Sequence, residues 1–202
     1  MDDSFFTIER QSTAETKVKG SRFIARTRIV HSVDEAAACL DEIRRQEHAA
    51  THNCFAYQVG LGDDLSFKYS DDGEPSGTAG RPIYDIICGR ELSDLLVVVT
   101  RYFGGTKLGT GGLVKAYSET TALAVDKSGK KINYLTDTLE VEIDFHFYNP
   151  LISAVHQCEA RQAAADFSDH VAVDIEVRRS LTERLVEAIV ELSGGSAKIE
   201  KK

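Results

Sequence analysis

No run of the chain approaches the roughly 20 consecutive apolar residues that a membrane-spanning helix needs, so no helical span is expected. Met1-Asp2-Asp3-Ser4 is acidic and lacks an apolar signal core, which places the expected protein in the cytoplasm. Cys39, Cys54, Cys88 and Cys158 stand far apart and form no C-x-x-C pair. That spacing suits reduced thiols acting as small core hydrophobes better than a zinc or disulfide framework. An excess of cations is missing too. The net charge is -8, with 15 Lys+Arg against 19 Asp+Glu before Gly129 and 9 against 13 after it, so each half is -4. Generic coating of DNA is thereby disfavoured, and any nucleic-acid surface must be a local patch.

What is present has the character of an ordinary globular protein, with 202 residues able to form one large or two modest domains. The most unusual stretch is Val97 to Tyr117. Leu95 to Val99 is apolar and β-branched, as in a strand buried on both faces. Gly104, Gly105, Gly109, Gly111 and Gly112 follow within nine residues, and then Leu113, Val114, Tyr117, Thr121 and Leu123 recur at helical spacing. A strand feeding a glycine loop and a helix N-terminus presents backbone N–H groups that favour an anion. Arg101, Lys107 and Lys115 add positive charge. The spacing matches neither standard nucleotide-binding glycine motif, so a plain tight turn stands as the alternative.

Earlier in the chain, Phe5 to Glu9, Ala14 to Lys19 and Arg22 to Val30 read as strands, with Lys19-Gly20-Ser21 as a turn. Ser32 is the expected N-cap of a helix carrying Val33, Ala36, Ala37, Leu40 and Ile43 and ending near Glu47. Phe55 to Val59 and Leu65 to Tyr69 form a hairpin across Gly60 to Asp64. His48 and His52 would share a helical face if that helix extended to them. The glutamate of H-E-x-x-H is missing, however, so a polar helix end is expected rather than a metal site, with His52 as a candidate to face a site.

Ser70 to Pro82 holds three carboxylates, three glycines and two prolines, and is irregular. Asp71, Asp72 and Glu74 suit a magnesium site, an acid–base role or a solvated turn, and no other cofactor is suggested. The glycines and proline flanking Glu74 suggest an exposed position, where a substitution costs less than about 0.5 kcal/mol. Thr78 is the expected cap of a helix with Ile83, Ile86 and Ile87. Nine of the 15 glycines lie from Gly73 to Gly112, so one site built from both loops is the economical interpretation.

Ser128 to Lys131 is a polar break and the expected boundary between domains 1–129 and 130–202. Beyond it the chain reads as strand Leu139 to Phe147, a helix with Pro150 at its first position, and strands Ala164 to Phe167 and Val171 to Val177 about an Asp169-His170 turn. Helix Leu181 to Leu192 and strand Ala197 to Glu200 complete it. The order β-α-β-β-α-β is that of a ferredoxin-like domain.

Lys19-Gly-Ser-Arg-Phe23, the loop from Asp71 to Pro82 and the stretch from Val98 to Tyr117 together resemble the IMPACT family in its bacterial, YigZ-like form. The resemblance implies an α+β protein. Its N-terminal domain would be of the type shared by a small-subunit ribosomal protein and exoribonuclease PH. A ferredoxin-like domain similar to the last domain of elongation factor G would follow. It also implies translation regulation, which eukaryotic relatives carry out with an additional N-terminal domain by competing for the activator of an initiation-factor kinase. The expectation is therefore an RNA- or ribosome-associated binding protein, with phosphate held by the glycine loop, Arg101, Lys107 and Lys115. The rival is a hydrolase or transferase of a phosphorylated substrate, in which Asp71, Asp72 or Glu74 binds metal or moves a proton while Arg81 and Arg101 steady the charge. Binding is expected over catalysis.

Overall fold

A computed structural model of the chain describes residues 3–168 and 170–202; Asp169, half of the turn expected with His170, lies outside the described residues. Two compact units form, Phe5–Asn133, and Tyr134–Lys202 joined by Asp3 and Ser4.

The N-terminal unit runs β1 (Ser4–Ile8), β2 (Thr13–Val18), β3 (Ser21–Ile29), α1 (Val33–Gln46), β4 (His52–Val59), β5 (Ser66–Ser70), α2 (Gly80–Gly89), β6 (Leu95–Tyr102), α3 (Gly109–Ser128) and β7 (Lys130–Tyr134). Five strands form one antiparallel sheet in the order β2-β3-β6-β4-β5, and β1 pairs with β7. β6 is central, and its β-branched run is buried on both faces as expected. Leu95, Val97 and Val99 enter a core with α2 and α3 residues such as Ile83, Ile87 and Tyr117, while Leu96 and Val98 join Ala36, Leu40 and Ile43 of α1. Each fully buried aliphatic side chain of this kind stabilises by about 1.5–3 kcal/mol, which makes β6 the anchor of both layers.

Local chemistry sets the element ends. Lys19 and Gly20 take φ of 46° and 83°, the positive pair that a two-residue hairpin turn requires, and so bring Val18 opposite Ser21. Ser32 caps α1 by accepting from Glu35 N–H at 3.0 Å. For α2 the expected cap is corrected: Thr78 donates to the Pro75 carbonyl, and it is Asp71 that accepts from the N–H groups of Gly77, Ala79 and Gly80 at 2.8–2.9 Å. Of the expected α3 stripe, Leu113, Tyr117 and Thr121 face inward, while Val114 and Leu123 are exposed and Ala116, Thr120 and Ala124 complete the buried face instead. The stretch expected as a polar break ends α3 at Ser128 and continues into β7.

The second unit contains β8 (Thr136–Ile143), α4 (Tyr148–Gln157), β9 (Arg161–Phe167), β10 (Val171–Arg178), α5 (Thr182–Ser193) and β11 (Lys198–Lys201). Its antiparallel sheet has the order β11-β8-β10-β9, with Leu151 and Val155 of α4 and Leu185 and Ile189 of α5 packed in its core. This is the β-α-β-β-α-β order expected. The first strand ends earlier than expected, because 145–147 form a 3-10 turn, and Pro150 sits third in α4. Gly194, at φ 60°, closes α5 in the left-handed conformation.

Candidate functional site

Cross-strand register assembles the site. Arg101 of β6 lies opposite Phe23 of β3 on one side and His52 of β4 on the other, so the three form a row across the sheet. Arg101 continues the face of Leu95, Val97 and Val99, placing a guanidinium at the end of an apolar core. Tyr117 of α3 packs edge-on against Phe23, with ring centroids 5.2 Å apart.

The loop between β5 and α2 supplies the counter-charge. Glu74 Oε1 accepts from Arg101 Nη1 at 2.6 Å and from the Tyr117 hydroxyl at 2.7 Å. The Arg101 and Glu74 side chains are only 6% and 3% exposed. Arg101 Nη2 donates to Ser21 Oγ, which also accepts from Gly104 N–H. His52 Nδ1 lies 2.8 Å from the Asp72 carbonyl, so the ring is held with Nδ1 donating and Nε2 3.9 Å from Glu74 Oε2. Beneath them the Cys54 sulfur lies 3.0 Å from the Asp71 carbonyl oxygen and 3.3 Å from the Tyr117 hydroxyl, its one proton shared between these two acceptors. Burial pushes the Cys54 thiol up to about 12, despite the Tyr117 hydrogen bond, and pushes the Tyr117 phenol well above its ordinary range. Both stay protonated near neutrality, so Tyr117 acts as a donor to Glu74 and Cys54 is no thiolate nucleophile.

Beside this network opens a cleft of about 440 Å³, lined by Thr51, His52, Glu74, Pro75, Arg101, Phe103, Lys107 to Thr110 and Leu113. Both unusual loops therefore line one cavity. Gly109 and Thr110 begin α3, which has no side-chain cap and no acidic residue in its first turn. Its first N–H groups have no partner within the helix. Lys107 forms no ion pair with the described residues.

The other expected site residues are dispersed. Asp71 is the cap of α2, and although burial would raise its pKa, the three N–H groups it accepts from hold it below the usual carboxylate range. Asp72 accepts from Asn53 N–H and pairs with Arg44. The carboxylates of Asp71, Asp72 and Glu74 thus point to different partners, and among the described residues no group of three metal-ligating side chains gathers. Glu74 is buried, not exposed as its flanking residues suggest, because it turns inward to meet Arg101. Arg81 pairs with Asp85 and Lys115 approaches Glu119, each one turn along an exposed helix face, and neither lines the cleft. His48 follows α1 while His52 is in β4, so they share no helical face.

The glycines divide by role. A Cβ on Gly104 would land on the backbone of Gly20 and Ser21, so this glycine seats the loop against the β2–β3 turn. Gly109 takes φ 71° where the chain enters α3. Gly105 and Gly111 have nothing within 4 Å of where a Cβ would stand, and one on Gly112 would meet Leu108 at 3.2 Å. Ser21, Phe103 and Leu108 lie within the motifs quoted from the sequence and Cys54 lies outside them; none carries a local signal of a site role, because the fold alone brings them to this network and its cleft.

The Impact N-terminal domain family matches residues 19–125, a range that holds every residue of this network. IMPACT family member YvyE of Bacillus subtilis (strain 168) is 33% identical over 98% of this chain and 91% of its own length. IMPACT family member YigZ of Escherichia coli (strain K12) is 31% identical over 93% and 92%. A crystal structure of a hypothetical protein, 27% identical, aligns over 98% of this chain and 97% of that one with a TM-score of 0.74.

Proposed function

The chain belongs to the IMPACT family, and on that premise we propose that it is an RNA- or ribosome-associated protein acting in the regulation of translation, with the cleft at the start of α3 as its phosphate-binding point. One observation carries this reading: α3 opens with Gly109, Thr110, Gly111 and Gly112, uncapped and without acids, beside a cleft lined by Lys107. Helix N-terminal N–H groups and a free ammonium both favour an anion. Arg101 contributes differently from the sequence expectation. Its charge is matched by Glu74, so it rigidifies the cleft wall while Lys107 supplies the net charge. Such contacts position a nucleic acid without reading its sequence.

The test is binding of short single-stranded RNA across a salt series. The affinity should fall with salt at a log–log slope of about 0.7 per phosphate contacted. Salt-insensitive binding, or none to RNA or ribosomes at low salt, would overturn the proposal.

A second reading, proton transfer on a phosphorylated substrate, is favoured by His52 Nε2 and Glu74 Oε2 standing 3.9 Å apart in the same cleft. Its magnesium-assisted form is less well supported, because Asp71 and Asp72 are engaged by backbone N–H groups and Arg44.

A further inference from the structure

We propose that the cleft takes a nucleoside phosphate, either free or at the end of an RNA strand, with its base stacked on Phe103; this rests on the phosphate-binding reading above. Phe103 lines the cleft, yet it remains 48% exposed. Its ring is backed by the Arg101 guanidinium, 5.5 Å from the ring centroid, and that guanidinium lies 5.4 Å from the Phe23 centroid on the core side. Glu74 and Ser21 hold Arg101 in place, and Phe103 N–H donates to Thr51 Oγ1 at 3.1 Å. The ring is thus positioned before any ligand arrives, with area left open for a second planar group.

The rest of the cavity suits more than a phosphate. Pro75, Leu108 and Leu113 give it apolar walls that an inorganic anion would leave uncovered, and about 440 Å³ is within the range of small-molecule sites. Arg101 Nε, on a side chain 6% exposed, has no hydrogen-bond partner in the described residues. It is a buried donor on a cleft-lining side chain, and a ligand oxygen beside Phe103 would satisfy it once a small shift of the guanidinium or ring exposes it. Phosphate at the start of α3, base on Phe103 and sugar along the apolar wall would use all three features. Stacking on an aromatic ring tolerates any base, so little base preference is expected.

Calorimetric titration at low salt with inorganic phosphate, ribose 5-phosphate, AMP and UMP tests this on the parent, Phe103→Ala and Phe103→Tyr. In the parent, AMP and UMP should bind roughly 5- to 150-fold tighter than ribose 5-phosphate, the gain from stacking one base. Phe103→Ala should erase that gain, so that AMP and UMP bind no tighter than ribose 5-phosphate to the same variant, while Phe103→Tyr keeps it. Should Phe103→Ala fail to fold, the parent ratio and the tyrosine variant decide. Hexauridylate with and without a 5′-phosphate distinguishes the sources: tighter binding of the phosphorylated strand assigns the site to a strand end, and indifference to it alongside AMP binding assigns it to a free nucleotide. Equal affinities for AMP and ribose 5-phosphate would overturn the stacking proposal and leave phosphate binding intact. Binding of none of the four would overturn both.

Discussion

Glu74 and Arg101 meet at 2.6 Å at the end of the central strand, each almost wholly buried, and Tyr117 donates to the same carboxylate oxygen. Removing one member of a buried ion pair leaves the other uncompensated at a cost of about 3–5 kcal/mol. Glu74→Gln should therefore destabilise the protein by about 3 kcal/mol in denaturant unfolding, since the amide still accepts but the charge is gone. Glu74→Gln combined with Arg101→Met should be more stable than the single variant. A single-variant loss below about 0.5 kcal/mol would return Glu74 to the exposed position its neighbours suggest.

The glycines should respond according to what a side chain would meet. Gly104→Ala places a methyl group on the Gly20 backbone and should cost more than about 2 kcal/mol, an overpacking loss without room to relax. Gly111→Ala meets nothing within 4 Å in a helical turn and should be neutral or stabilising by up to about 1 kcal/mol. Thermal melts of both, compared with the parent, check this contrast.

Asp71 makes stability depend on acid. Its folded pKa is depressed by three backbone N–H groups acting against burial, so the stabilisation is complete above the unfolded value near 4 and is lost as pH falls through the folded value. Unfolding measured from pH 6 downward should show a steeper loss in the parent than in Asp71→Asn. Parallel curves would contradict the capping role.

Lys107 and Lys115 should differ in RNA binding. Lys107→Gln removes a cleft ammonium that pairs with none of the described residues and should lower the salt slope by about 0.7, one phosphate contact on a single strand. Lys115→Gln removes a cation already near Glu119 and should change the slope little.

Much of this was legible from periodicity alone. The β-branched run of β6, the Ser32-capped α1 and the glycine entry to α3 each follow from local chemistry, and so does the β-α-β-β-α-β order of the second unit. The site was less legible because it is made by register. Phe23, His52 and Arg101 are far apart in sequence and adjacent only once β3, β6 and β4 align. The Glu74 loop has the glycines and proline of an exposed turn, and nothing local reveals that its carboxylate folds inward. The i, i+4 partners Asp85 and Glu119, by contrast, were visible beside Arg81 and Lys115 and mark those cations as paired on an exposed helix face.

The central claim is that the start of α3 holds phosphate, and backbone amide shifts in an NMR titration test it most directly. With inorganic phosphate and then a short RNA added at low salt, the amides of Gly109, Thr110, Gly111 and Gly112 should shift together and saturate, with Lys107→Gln weakening the response and added salt reversing it. Saturable shifts confined to other surfaces, with these four amides unmoved, would contradict the account.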